Sequence, residues 1–173
     1  HAVANAELRC RLVFAPPHNA HTAFVAKNGM RNDDFRPFLY RTTDAGATWT
    51  SIAGDLPNFA INVVVQDRKN ANLLYVGNDR GVWVSIDAGA HWTRLLANLH
   101  AVAVHDLTIH PRENDLVLAT YGRALWTGAV SFLPELTKAV VAVTAPRVAI
   151  APRARHGFGH QGMNYRLFCN KYS

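Results

Sequence analysis

The sequence predicts an all-β fold: part of a β-propeller built from four-stranded antiparallel blades, followed by an irregular C-terminal tail. An eight-residue motif occurs twice, 43 positions apart, as TTDAGATW at 42–49 and as SIDAGAHW at 85–92. Each repeat contains short apolar runs separated by Asn, Asp and Gly, and no stretch of it has a helical period. Four short strands in a repeat of about 43 residues are typical of one propeller blade.

The repeat extends beyond the motif in both directions. Trp83 recurs as Trp126 at the same offset, and upstream Phe24 aligns with Tyr75 at a distance of 51 residues, so this first copy contains an insertion of eight. A β-sandwich also has short strands, but they are not normally near copies of one another at a fixed period. We therefore expect residues 10–130 to form two complete blades and one partial blade. Residues 131–173 are then a basic tail or linker, with a short helix predicted at 134–141.

The second copy is the best formed, and it divides into four predicted strands. They are INVVVQD at 61–67, NLLYVGN at 72–78, GVWVSID at 81–87 and HWTRLL at 91–96. A single blade cannot bury both faces of its sheet, and propellers close with about four to eight blades. We therefore expect the remaining blades to come from a longer parent chain or from other copies. The first residues, HAVANAEL, lack an initiator Met, and we expect the natural N-terminus to lie further upstream.

The eight-residue motif falls where the third strand of a blade turns into the fourth, and its residue types suit a structural role there. The Asp can accept hydrogen bonds from backbone amides of the turn, and the Gly can adopt a positive φ at little cost. The hydroxyl can add a local hydrogen bond, while the Trp packs inward. The residues expected to have this structural role are Thr42, Asp44, Gly46, Trp49, Ser85, Asp87, Gly89 and Trp92.

The candidate ligand-binding residues lie in loops on the opposite face of the blades. Connections in a four-stranded blade alternate between two faces, so the loops between the second and third strands lie opposite the motif. Functional residues concentrate on loops held by a rigid scaffold. These loops are NGMRNDDFRPF at 28–38, GNDRG at 77–81 and TYGRA at 120–124. The residues expected to contact a ligand are Arg31, Asp33, Asp34, Arg36, Asp79, Arg80, Tyr121 and Arg123.

Two alternatives remain open for these side chains. The loop arginines of the second and third repeats occupy equivalent places, which is also the pattern of structural ion pairs between blades. Catalysis is the other alternative, because glycoside hydrolysis needs two carboxyl groups about 5 to 9.5 Å apart, one of them with a raised pKa. Adjacent residues such as Asp33 and Asp34 rarely face each other in this way. A catalytic partner would come from Asp79, from Asp106 or from blades outside this chain.

The charge distribution argues against nucleic-acid binding. Residues 1–130 contain 12 basic and 11 acidic residues, whereas residues 131–173 contain 6 and 1, so the net charge of +6 is concentrated in the tail. The body therefore lacks the basic stripe that a nucleic-acid interface requires. No run of 18 apolar residues is present, so no membrane span is predicted.

The nine histidines and two cysteines show no metal-binding spacing. His105 and His110 are five residues apart on one predicted strand and therefore point to opposite faces. His156 and His160 lie in the tail. We expect neither a metal nor a cofactor. A disulfide between Cys10 and Cys169, near opposite ends of the chain, is an open alternative.

The motif Ser/Thr-x-Asp-x-Gly-x-x-Trp resembles the Asp-box, or BNR repeat, of sialidases, xyloglucan-cutting endoglucanases and sortilin-type Vps10 receptors. Beyond the boxes, RNDDFRPFLYRTTDAGATW, NLLYVGNDRGVWVSIDAG and VHDLTIHPRENDLVLATYGRALW resemble the last blades of bacterial sortilin-like proteins, which are also called WD40/YVTN/BNR-like or glycosyl hydrolase proteins. The resemblance covers residues 10–127 and implies an extracellular or periplasmic location. Because the boxes have a structural role and the polar variation is confined to the other face, we expect a non-catalytic propeller module that binds a protein, peptide or glycan. The alternative is part of a secreted BNR-repeat glycoside hydrolase, xyloglucanase-like or sialidase-like.

The sequence departs from this pattern in two places. His91 replaces the Thr that usually precedes the Trp of the box. No third box follows near residue 128, where the sequence reads GAVSFLPE, and Thr127 and Gly128 stand where the family often has acidic residues. A sialidase would also need clustered arginines and a tyrosine nucleophile, and the spacings here identify no such set.

Overall fold

The structure is a computed structural model that describes residues 9–96, 101–121, 125–130 and 148–149. These residues form three sheets, each built on antiparallel strands that follow one another along the chain. The first contains β1 (Arg9–Phe14), β2 (Ala23–Gly29), β3 (Asp34–Thr42) and β4 (Thr50–Ser51), with a 3-10 turn at Met30–Asn32. The second contains β5 (Ile61–Gln66), β6 (Leu74–Asn78), β7 (Gly81–Ser85) and β8 (Thr93–Leu96). The third contains β9 (Val104–Ile109), β10 (Asp115–Thr120) and β11 (Leu125–Ala129).

The predicted fold class is confirmed: the sheets are consecutive blades of a partial propeller. Within each of these three sets the strands lie in sequence order and pair antiparallel, and we call the sets β1–β4, β5–β8 and β9–β11 blade 1, blade 2 and blade 3. The first strands β1, β5 and β9 contact one another in turn, as expected for inner strands around a common axis. Phe24 and Tyr75, which align in the sequence, each stand second in the second strand of their blade. The extra residues of the first repeat lengthen the β2–β3 hairpin.

The apolar core lies between the blades. Successive residues of a strand point to opposite faces, and blade 2 uses both of its faces. Val63 and Tyr75 pack on the side of blade 3, whereas Val64 and Leu74 pack with Phe24 of blade 1. Burial on both faces explains why β5 and β6 are almost continuously apolar.

A short strand from the C-terminal part of the sequence joins the outer edge of blade 2. This strand, β12 (Val148–Ala149), pairs parallel to β8, with Val148 opposite Leu95. The helix predicted at 134–141 lies outside the described residues. The assignment of residues 131–173 to a separate tail stays a prediction.

The described residues can be examined for a disulfide, for a metal site and for a membrane-spanning helix. Cys10 is exposed and free, and Cys169 lies outside this part. No group of three or more His, Cys, Asp or Glu side chains within the described ranges could hold a metal ion. Among the same residues, no helix is long and apolar enough to cross a membrane.

Candidate functional site

The two Asp-boxes form the same hydrogen-bonded turn around their hydroxyl residue. Thr42 Oγ1 donates to Asp44 Oδ1 at 2.6 Å and accepts the Gly46 N–H at 2.9 Å. In the second box the Ser85 hydroxyl makes the equivalent bonds, at 2.9 Å to the Asp87 carboxylate and 2.8 Å from the backbone N–H four residues ahead. In each box, one hydroxyl therefore stabilises the turn by donating one hydrogen bond and accepting another.

The box carboxylates accept the remaining donors of their own turns. Asp44 accepts the backbone N–H of Thr48 at 2.9 Å and its hydroxyl at 2.5 Å. Asp87 Oδ1 accepts two backbone N–H groups, from Ala90 at 3.0 Å and from His91 at 2.9 Å. The hydrogen bonds from Thr42 and then Thr48 hold the pKa of Asp44 well below its ordinary value. Each carboxylate thus accepts its hydrogen bonds from residues of its own turn.

The backbone of the turn needs two consecutive residues with positive φ. Gly46 and Gly89 both have φ of 96°, which glycine adopts at little cost. The preceding Ala45 and Ala88 have φ of 55° and 60°. Sequence reasoning assigned positive φ to the glycines and missed the alanines, since alanine is not a residue that signals this conformation.

Hydrogen bonds between connections identify the two faces of the blades. The N–H of Ala45 donates to the carbonyl oxygen of His21, and that of Ala88 donates to Asn72, both at 2.9 Å. The boxes therefore lie beside the β1–β2 and β5–β6 connections, on what we call the box face. The β2–β3 and β6–β7 connections lie at the other ends of the strands, on what we call the loop face, together with Tyr121 after β10 and with Phe59 near the end of the linker from blade 1 to blade 2.

The lengthened hairpin of blade 1 brings four candidate residues to the loop face. Arg36 donates two hydrogen bonds to Asp34, from Nε at 2.9 Å and from Nη2 at 2.7 Å, and its guanidinium lies 5.3 Å from the centre of the Phe38 ring. This bidentate pair lowers the pKa of Asp34. Asp33 has φ of 54° and follows the 3-10 turn, in which Arg31 is exposed.

The β6–β7 turn of blade 2 is held by two partners that sequence reasoning did not identify. Asp79 Oδ1 accepts a hydrogen bond of 2.8 Å from Asn62 Nδ2. The Arg80 guanidinium lies 4.9 Å from the centre of the Phe59 ring, in the linker from blade 1. Within the described part of the chain Arg80 forms no ion pair, so the alternative of repeated ionic contacts finds no support at this position. Arg123 lies outside the described residues.

Blade 3 contributes Tyr121, whose side chain is 77% exposed. Its ring lies 5.6 Å from the ring of His105, and its backbone N–H donates to the carbonyl of Ala103 at 3.0 Å. From the sequence, His105 stands out only as a histidine to be tested for metal-ligand spacing, and its contact with Tyr121 is not predictable from that spacing. His110 lies beyond the other end of β9, where Nδ1 accepts the Glu113 N–H at 3.2 Å. No hydrogen bond or ion pair among the described residues joins candidate residues of different blades.

Large exposed apolar side chains are concentrated on the loop face. Of the five in the described part of the chain, only Val13 belongs to a first strand of a blade. The other four lie in the β2–β3 hairpin and around the β10–β11 connection: Met30, Phe35, Tyr121 and Leu125. Sequence reasoning named only the tyrosine, because isolated apolar residues in polar loops do not stand out in a pattern of charges.

Comparisons with known proteins agree with this architecture. The family model Sortilin-Vps10, described as sortilin, neurotensin receptor 3, matches residues 38–132, which is more than half of the chain. No curated protein sequence matches this chain.

The solved structures with a similar fold are also propellers. An ancestral GH74 enzyme has a TM-score of 0.55 at 21% identity, with 69% of this chain and 18% of that chain covered. The GH74 xyloglucanase from Xanthomonas campestris has 0.54 at 20%, covering 68% and 20%. YCF48 bound to D1 peptide has 0.51 at 17%, covering 86% and 41%.

At these identities the structural likeness demonstrates a shared fold. The chain spans about a fifth of the GH74 enzymes and 41% of the YCF48 chain. The resemblance stated from the Asp-boxes is therefore confirmed by both comparisons. The chain is a propeller module, and it belongs to the Sortilin-Vps10 family.

Proposed function

We propose that this chain is a non-catalytic propeller module that binds a protein, peptide or glycan through the loop face, with a polypeptide as the favoured ligand. The observation that carries the proposal is the group of exposed apolar side chains on that face, Met30, Phe35, Tyr121 and Leu125. Protein interfaces are enriched in Tyr, Phe, Met and Arg. Exposed apolar side chains that lie together mark interaction sites, and blades 1 and 3 each contribute one pair of them to this face.

The polar groups of the loop face support a binding role. Asp34 is held by Arg36, and Asp79 is held by Asn62, so both carboxylates have a fixed partner before any ligand arrives. Fixed polar groups around apolar anchors supply orientation at low entropic cost. YCF48, which shares the fold, is bound to a peptide in its solved structure, and this analogy favours a polypeptide over a glycan.

Arrays of short random peptides and of neutral and sialylated glycans test the binding proposal. We expect peptides to be retained, and Phe35→Ala or Tyr121→Ala to weaken retention at least tenfold, as truncation of an aromatic anchor does. Thr43→Ala is the matched control, because this exposed residue lies in a box turn on the other face. Retention that is lost with Thr43→Ala and kept in the two aromatic variants would move the interaction to the box face.

Glycoside hydrolysis is the second candidate, and the likeness to GH74 enzymes favours it. A general acid in this reaction needs a raised pKa, whereas the pKa of Asp34 is lowered by Arg36. Assays on xyloglucan, sialosides and β-glucans test this candidate. Turnover that disappears in Asp33→Asn or Asp79→Asn would replace the binding proposal, while turnover unaffected by both changes would come from a site elsewhere.

A further inference from the structure

The outer edge of blade 2 is covered by a strand from the C-terminal part of the chain. In the order of this sheet, β12 lies outside β8, on the side away from β7. It runs parallel to β8, with Val148 opposite Leu95 and Ala149 opposite Leu96. The outer edge of β8 is therefore paired with a segment that does not belong to the blade repeat.

The contact with β12 is short compared with the edge that it covers. β8 spans four residues, Thr93–Leu96, and among the described residues its outer strand partner begins only at Leu95. The sequence limits β12 further, because Pro146 and Pro152 lie on either side of it and proline has no N–H to donate to a strand. Ordering each residue of an added strand costs conformational entropy. A parallel pairing of two residues offsets little of this cost, whereas a longer strand can pair with more of the edge.

The first half of β8 carries a cation, Arg94. Its Nη2 donates a hydrogen bond of 3.0 Å to the carbonyl oxygen of Arg80, and among the described residues it forms no ion pair. A parallel strand that continues the register of β12 by one residue toward its N-terminus places that residue opposite Arg94. In this chain the residue before β12 in the sequence is Arg147. Neighbouring strands are only about 4.7–4.9 Å apart, so an arginine at that position is repelled and a carboxylate is attracted.

We propose that the outer edge of blade 2 is a strand-addition site for an extended peptide segment of another polypeptide, and that β12 is its displaceable occupant in this chain. The added strand runs parallel to β8, with an acidic residue opposite Arg94 and then an apolar residue opposite Leu95. Leu95 is 4% exposed and belongs to the core on the blade 3 side, so an apolar neighbour extends that face. In strand addition, main-chain hydrogen bonds supply affinity and alternate side chains supply specificity. The site is separate from the loop face and does not depend on the function proposed for it.

The fourth strand of blade 1 is a poorer template for an added strand. This strand, β4, has only two residues, Thr50–Ser51, and both are exposed. In the described part of the chain no strand pairs with its outer side. An edge strand attracts another strand through its row of unpaired N–H and C=O groups, and the longer β8 offers more of them.

Fluorescence anisotropy with two labelled peptides tests the proposal on the 173-residue chain. One peptide has the sequence of residues 145–151, APRVAIA, and the other, APEVAIA, differs only by a glutamate in place of the arginine. Ala149→Pro removes a backbone donor of β12, and Ala154→Pro is the matched control outside this strand. We expect APEVAIA to bind the Ala149→Pro variant about tenfold more tightly than the control or the wild type, as for an edge that is open about a tenth of the time.

The two peptides also test the role of Arg94. We expect APRVAIA to bind the Ala149→Pro variant about fivefold more weakly than APEVAIA, which is the size of a charge-pair effect between neighbouring strands. Adding Arg94→Glu to this variant should reverse the order, and adding Phe35→Ala should change neither affinity. The proposal is overturned by equal binding to the three proteins, by no binding to any of them, by an order that Arg94→Glu leaves unchanged, or by binding that Phe35→Ala abolishes.

Hydrogen exchange keeps the proposal testable should Ala149→Pro fail to fold. In the wild-type chain we expect partial protection of the β8 N–H groups that point away from β7. Arg147→Glu should slow their exchange, because it replaces repulsion from Arg94 by attraction, and Arg155→Glu is the control for the same change of charge elsewhere in the chain. Exchange that Arg147→Glu leaves unchanged would contradict the proposal. Protection that rises with protein concentration would assign β12 to a second copy and would contradict it too.

Discussion

The guanidinium carbon of Arg80 lies 4.9 Å from the centre of the Phe59 ring. This contact joins the β6–β7 turn to the linker between blades 1 and 2, two segments of the loop face that are well separated in sequence. The carbonyl oxygen of Arg80 also accepts a hydrogen bond of 3.0 Å from Arg94 Nη2. The turn that displays Asp79 is therefore held from two sides.

The first prediction concerns this stacked pair. A cation–π contact at an exposed site contributes about 0.5–1 kcal/mol, so we expect a double-mutant cycle of Arg80→Ala and Phe59→Leu to give a coupling free energy of that size. Urea unfolding of the four proteins measures it. Arg68→Ala is the control, since Arg68 is exposed and lies in the β5–β6 connection on the other face. Coupling indistinguishable from zero would mean that the pair does not hold the turn.

The second prediction compares the two box tryptophans. Trp92→Phe removes the donor to the buried carbonyl of Ile52, and we expect it to lower the free energy of unfolding by about 1–3 kcal/mol. Trp49→Phe removes only a bond within its own half-buried turn, so its cost should be smaller. Urea unfolding of the two variants measures the difference. Equal losses would show that the contact between blades adds nothing.

The third prediction concerns the pKa of Asp44, which the hydrogen bonds from Thr42 and Thr48 lower. A carboxyl group whose pKa is depressed by folding stabilises the protein above its unfolded pKa, and this contribution is lost as the pH falls below about 4. Thr48→Val removes one hydroxyl donor and should move the pKa of Asp44 back toward its ordinary value. NMR titration of the carboxyl carbon measures the shift. An unchanged pKa would assign the effect to the remaining donors.

The fourth prediction concerns Tyr75, whose fully buried hydroxyl has no hydrogen-bond partner among the described residues. Tyr75→Phe should therefore be neutral or stabilising at pH 7. Burial, and then the charge of Asp67, raise the pKa of Tyr75. The contribution of this group to the free energy of unfolding is fully present below the unfolded pKa near 10. Above that pH it decreases by about 1.4 kcal/mol per pH unit. Unfolding between pH 9 and 11 should show a shallower decrease for Tyr75→Phe; identical slopes would contradict the assignment.

Much of the candidate site was predictable because it depends on local chemistry. The alternation of turns and strands assigns Asp33, Asp79 and Tyr121 to the loop face without any knowledge of packing. The partners of these residues were not predictable in the same way. Asn62 is an isolated polar residue in an apolar strand, and its bond to Asp79 depends on where β5 and the β6–β7 turn meet in space.

By itself, the sequence determined the blade repeat, the strands and the turn of each Asp-box, because a fixed period and short-range hydrogen bonds act within a few residues of one another. Only the tertiary structure decided which of two nearly identical boxes is joined to another blade. Trp92 reaches an acceptor 40 residues earlier, whereas Trp49, in the same motif, bonds to its own turn. Contacts between blades depend on how whole sheets pack, and the eight letters of a motif do not contain that information.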